Sequence, residues 1–121
     1  MSVDMDGAGS TEPVTFLLTD VEGSTRRWEA DPDHMAELLE AHDATIEAEV
    51  AKAGGELIKA RGEGDSTFAV FLDASAAVQA AVACQVRLIS DVGLPVRMAI
   101  HTGETHQRWG DYYGPMVGGI L

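Results

Sequence analysis

Apolar residues enter this chain first as an unbroken run and then at helical spacing. Val14 to Thr19 is almost continuously apolar and gives way to Asp20. A short run of this kind, bounded by turn residues, predicts a central strand buried on both faces. Ser24 or Thr25 is placed to cap a short helical turn through Arg26, Arg27 and Trp28. Asp31-Pro32-Asp33 restarts a helix, with an acidic cap and a proline in its first turn. Met35, Leu38, Leu39, His42, Ile46 and Val50 then recur at steps of three and four, which marks one buried helical face. Glu37, Glu40, Asp43 and Glu47 fall on the other face, and Gly54-Gly55 ends the helix. Glu56 to Arg61 and Asp65 to Leu72 predict two strands joined by a hairpin-type turn, Gly62-Glu63-Gly64. Ala74 to Ser90 predicts an alanine-rich helix broken by Gly93 and Pro95, and Val96 to Thr102 alternates as a fourth strand. Beyond Thr102 the pattern loosens into a polar stretch carrying Trp109, Tyr112 and Tyr113. Met116 to Leu121 reads neither as a capped helix nor as a finished strand.

The resulting order, β-α-β-β-α-β, is the ferredoxin-like split arrangement of an α+β domain. It sets the first strand beside the later hairpin. Asp20 at the end of one strand and Asp65 at the start of another are thereby expected to meet at one sheet edge. Each lies next to a glycine-containing turn, Val21-Glu22-Gly23-Ser24-Thr25 and Arg61-Gly62-Glu63-Gly64. Taken singly, either aspartate reads equally well as a turn cap. Taken together, two strand-edge carboxylates suit a pair of magnesium ions and, through them, phosphates. The turn after Asp20 adds outward backbone N–H groups and a glycine that admits close approach, a cradle for phosphate oxygens.

Composition narrows the partners. The 121 residues suffice for one domain, with residues 1–12 expected to be a disordered segment and residues 13–121 the domain. A net charge of −12, from 8 basic and 20 acidic residues, repels a phosphate backbone, so neither nucleic acid nor an anionic membrane is expected as a partner. A polyphosphate ligand would need metal ions to offset that charge. No stretch approaches the roughly 20 apolar residues of a membrane span, and the acidic start does not resemble a signal peptide, so a soluble cytoplasmic protein is expected. Cys84, the single cysteine, falls in an alanine-rich helical pattern and reads as a small buried residue. His34, His42 and His106 lack mutual metal-ligand spacing, which argues against a zinc site, and His101 at the end of the fourth strand reads as a turn histidine rather than a ligand. Lys59 and Arg61 share one face of their strand, and Arg97 reads as facing solvent or an acidic partner.

At this point the motifs resemble a known family. Phe16-Leu17-Leu18-Thr19-Asp20-Val21-Glu22-Gly23-Ser24-Thr25 resembles the opening motif of bacterial class III nucleotidyl cyclase domains. Gly62-Glu63-Gly64-Asp65-Ser66 resembles their second metal motif, and His101-Thr102-Gly103-Glu104 their following strand and turn. Gly110-Asp111-Tyr112-Tyr113-Gly114-Pro115 is similar to the segment that contacts the base. The resemblance runs from about Val14 to Val117 and implies conversion of ATP to 3',5'-cyclic AMP and pyrophosphate by two Mg²⁺ or Mn²⁺ ions. It implies that Asp20, Asp65 and the main-chain oxygen of Val21 hold the metals, and that Val21, Glu22, Gly23, Ser24 and Thr25 receive the triphosphate. It further implies a head-to-tail homodimer, in which one subunit supplies the metal aspartates and the other a base-reading Lys and Asp with a transition-state Asn and Arg.

The chain departs from that pattern. Asp111 matches the base-reading Asp, but Arg61 stands at the Lys position, with Lys59 as a substitute on the same face. Gly118 stands at the Asn position, and the Arg position falls beyond Leu121. The core is therefore expected to lack the family's C-terminal helix and strands. Three readings follow: an adenylyl cyclase; an inactive module that binds metal and nucleotide or pairs with a complete cyclase domain, derived from the N-terminal part of a larger regulator; or a poorly folding remnant.

Overall fold

The first strand, β1 (Pro13–Val21), is buried along Val14–Thr19, as its apolar run predicts. The computed structural model describes residues 13–58, 66–104, 106–108 and 111–113, with only the backbone from residue 104 onward. A short helix, α1 (Ser24–Ala30), follows, and a long one, α2 (Pro32–Lys52), begins directly after it. Next come β2 (Glu56–Ile58), β3 (Ser66–Phe71) and α3 (Ala74–Arg87), which runs on into one π-helical turn, Leu88–Val92. Gly93, in the left-handed region at φ 85°, closes that turn by donating its N–H to the Leu88 carbonyl at 2.7 Å. The fourth strand, β4, spans Val96–Glu104, and a hairpin of β5 (His106–Arg108) and β6 (Asp111–Tyr113) completes the described chain.

The main sheet is antiparallel in the order β2-β3-β1-β4, so the expected α+β split arrangement holds and β1 lies between β3 and β4. Side-chain alternation divides β1 into two faces. Leu17 and Val21 pack with Met35, Ile46 and Val50 of α2, Ala77, Ala80 and Cys84 of α3, and Phe71 of β3. Val14, Phe16 and Leu18 point the other way and join Phe68 and Val70, with the Phe16 and Phe68 rings stacked at 5.1 Å. Alanines on the buried side of α3 let its backbone lie close to the sheet. Gly55 does the same for the entry to β2, because a Cβ there would meet three atoms of the buried Phe71 ring within 2.8 Å.

Asp31 caps α2 by accepting from His34 N, with Pro32 in the first turn. The cap of α1 is Gly23 at φ 68°, without a side-chain hydrogen bond, and not Ser24 or Thr25. Only glycine adopts that φ without strain, so the backbone turns sharply where the sequence offered two hydroxyl caps. The helix over Ala74–Ser90 ends its α-helical part at Arg87, and β4 runs two residues past Thr102, so His101 lies within the strand. The β5–β6 hairpin falls in the stretch where the pattern had loosened.

Candidate nucleotide-binding cleft

Asp20 leaves the core where β1 reaches its end. Its even register puts it on the sheet face away from the helices, opposite Ser66 on β3 and Arg97 on β4. The three residues form one cross-strand row. The Asp20 side chain is 38% exposed and both of its oxygens are engaged. Ser66 Oγ donates to Oδ1 at 3.3 Å, and Arg97 Nη2 donates to Oδ2 in an ion pair. Ser66 immediately follows Asp65 in the chain, so the pairing of β1 with β3 brings the described chain within one residue of the second expected metal aspartate.

Two open clefts meet at this row. One, of about 440 Å³, is lined by Leu18, Thr19, Asp20, Ser66, Arg97 and Met98 among others. The second, of about 490 Å³, runs under the turn past Asp20, Val21, Gly23, Ser24, Thr25 and Arg26 to Glu29 and Arg97. Val21 is buried and anchors the turn from below. Glu22 is held by its N–H donating to the Pro95 carbonyl at 2.9 Å, which ties the turn to the segment before β4. Above Gly23 the space is open, with no atom within 4 Å of where a Cβ would stand.

Sequence reasoning missed Arg26 and Arg97 as members of this cleft. The signal for Arg97 was present: in an antiparallel pairing of β4 with β1, a basic residue one position into the strand falls opposite Asp20. Of the residues singled out in the sequence, Asp20, Val21, Gly23, Ser24 and Thr25 line one cleft. Lys59, Arg61, Asp65 and Gly118 lie outside the described residues, as do residues 1–12. Asp111 opens β6 with its backbone paired to Arg108.

Among the described residues no group of three His, Cys, Asp or Glu side chains could enclose a metal. What they offer is a charged, partly exposed carboxylate that already holds a cation, the guanidinium of Arg97. That donor chemistry fits a hard divalent ion completed by further oxygen ligands.

This geometry, an antiparallel sheet with helices on one face and a strand-end aspartate beside a glycine turn, defines a nucleotide cyclase type of fold. An adenylate cyclase from Trypanosoma brucei, solved in its monomeric state, superimposes with a TM-score of 0.76 at 25% identity, over 90% of this chain and 67% of that one. No protein-family model matches the chain. An uncharacterised protein of Mycobacterium tuberculosis is 36% identical over 115 residues, which is 95% of this chain and 40% of that protein. An adenylate cyclase of Podospora anserina is 28% identical over 145 residues, 95% of this chain and 7% of that enzyme. The chain thus spans well under half the length of these two relatives. Its fold is that of the class III adenylyl/guanylyl cyclase catalytic domains.

Proposed function

We infer that this chain supplies the metal- and triphosphate-binding half of a nucleotidyl cyclase site, converting ATP to 3',5'-cyclic AMP and pyrophosphate as a homodimer. The observation that carries this is the position of Asp20. It is a carboxylate at the end of the central strand, in register with Ser66, the residue that follows Asp65 in the sequence, and it opens into a cleft roofed by the Gly23 turn. Asp20, Asp65 and the main-chain oxygen of Val21 would hold two Mg²⁺ or Mn²⁺ ions. Bound there, the ions supply charge neutralisation at the polyphosphate and acidify the attacking 3'-hydroxyl. The backbone of Val21–Thr25 faces the polyphosphate, and Gly23 keeps side chains out of its path. Arg26 and Arg97 line the same cleft and oppose the repulsion a −12 chain presents to a triphosphate. Asp111, with Arg61 or Lys59, would read the base across the dimer.

A second reading is nucleotide binding without turnover. It is favoured by Gly118 at the transition-state Asn position, since glycine has no side chain to stabilise developing charge, and by Arg61 at the base-reading Lys position. A cyclic-nucleotide assay with Mn·ATP separates the two. The first reading expects product that falls by on the order of 100-fold or more in Asp20→Asn. The second expects metal-dependent nucleotide binding with no product. A folded protein showing neither binding nor product overturns both.

A further inference from the structure

The carboxylate that the proposed site needs for metal is already occupied by a residue of the same chain. Arg97 Nη2 donates to Asp20 Oδ2 while Ser66 Oγ donates to Oδ1, so neither oxygen is free. The contact follows from backbone register, because β1 and β4 hold Asp20 and Arg97 directly opposite one another. It is also built to open. The Arg97 side chain is 65% exposed and the Asp20 side chain 38%, and a solvated ion pair of this kind holds only weakly. Arg97 borders both clefts that meet at Asp20, so its guanidinium can leave the carboxylate without leaving the site.

We propose that the Asp20–Arg97 pair is a latch on the metal carboxylate, closed in the nucleotide-free chain and released when an anionic polyphosphate gives Arg97 another partner. The proposal rests on the reading of this cleft as a metal–nucleotide site. A bare divalent cation must displace Arg97 and then sits beside a guanidinium with nothing to neutralise it. A polyphosphate arriving with the cation removes both penalties. Metal and nucleotide therefore bind with positive coupling, each raising the affinity of the other by the same factor. The latch keeps the site from filling with metal before substrate is present.

Titration of the whole chain with Mn²⁺ alone, followed by the paramagnetic signal of the free ion, tests this without any turnover. Arg97→Met is expected to bind Mn²⁺ about two- to five-fold more tightly than the unaltered protein, within the range that loss of one exposed ion pair allows. Arg97→Lys keeps a cation opposite Asp20 and should stay close to the unaltered protein. Arg26→Met removes the same charge from the same cleft but makes no ion pair with Asp20, so an equal gain there would reduce the effect to a general field and overturn the latch. With Mn²⁺ and a non-cyclisable ATP analogue, Arg97→Met should bind more weakly than the unaltered protein. An unchanged or tighter complex would also overturn the proposal.

The failures are distinguishable. If Asp20→Asn binds Mn²⁺ as the unaltered protein does, the carboxylate is no metal ligand, and the reading of the site falls with the latch. If Asp20→Asn loses Mn²⁺ while Arg97→Met gains nothing, the site stands and the latch does not. Thermal melts of each variant confirm folding, which the exposure of Arg97 favours.

Discussion

Single residues set the tolerances of this domain at places far from its cleft. Gly55 is fixed by the Phe71 ring, itself fully buried, so neither partner has room to give. Gly55→Ala should destabilise the fold by about 1–3 kcal/mol, read as a lower urea midpoint with an unchanged slope. Cys84 is completely buried, and that burial, reinforced by the nearby charge of Glu49, pushes its thiol from about 9 up to about 11. Below pH 9 the thiol is neutral in both folded and unfolded chains. Between about 9 and 11 the unfolded chain releases a proton that the folded chain retains, so stability falls through that window. Cys84→Ala should flatten this part of the stability–pH curve, and the native thiol should resist alkylation at neutral pH until denaturant is added.

The elements show where the sequence was legible and where it was not. The unbroken apolar run of β1, the Asp31-Pro32 start of α2 and the Gly93 stop are local signals, and each appears where it was expected. Asp31→Ala should cost about 1 kcal/mol, checked by thermal melting, because its carboxylate satisfies the His34 N–H at the first turn. Glu49 was not legible. Helical spacing marks positions of a face but cannot show that a carboxylate on that face meets Arg87, 38 positions away on α3, at 2.8 Å. The same contact holds the Arg87 guanidinium more firmly in its charged form. Replacing Arg87 by Met leaves a buried carboxylate short of its main partner, and a lower thermal midpoint is expected. Val78, Val82, Val86 and Ile89 run along the outer side of α3 and its π-helical extension, and all are exposed. Val82→Lys should therefore shift stability by no more than about 0.5 kcal/mol. The β5–β6 hairpin was missed because its strands are three residues each, too short for alternation to register.

At the scale of the whole molecule, the candidate site is a product of strand order. Half of it was legible as sequence, since Asp20 and its turn are contiguous. The rest depends on β1 lying between two strands that come much later in the chain, which fixed the Ser66 and Arg97 contacts and could be inferred only through topology. If the proposed homodimer completes the site, specific activity should rise with protein concentration until the dimer is saturated, measured beside sedimentation equilibrium on the same samples. The placement of β1 also bears on how the protein is made. Its segment emerges from the ribosome before either of its partner strands, so both of its edges stay unpaired until residues 66–71 and 96–104 have been translated. Until then Phe16-Leu17-Leu18 is a bare, uncharged, strand-forming stretch of the kind that recruits like segments from other nascent chains. The strand that carries Asp20 thus depends on a chaperone's cover, and a translation pause before residue 96 would lengthen the interval in which it needs one.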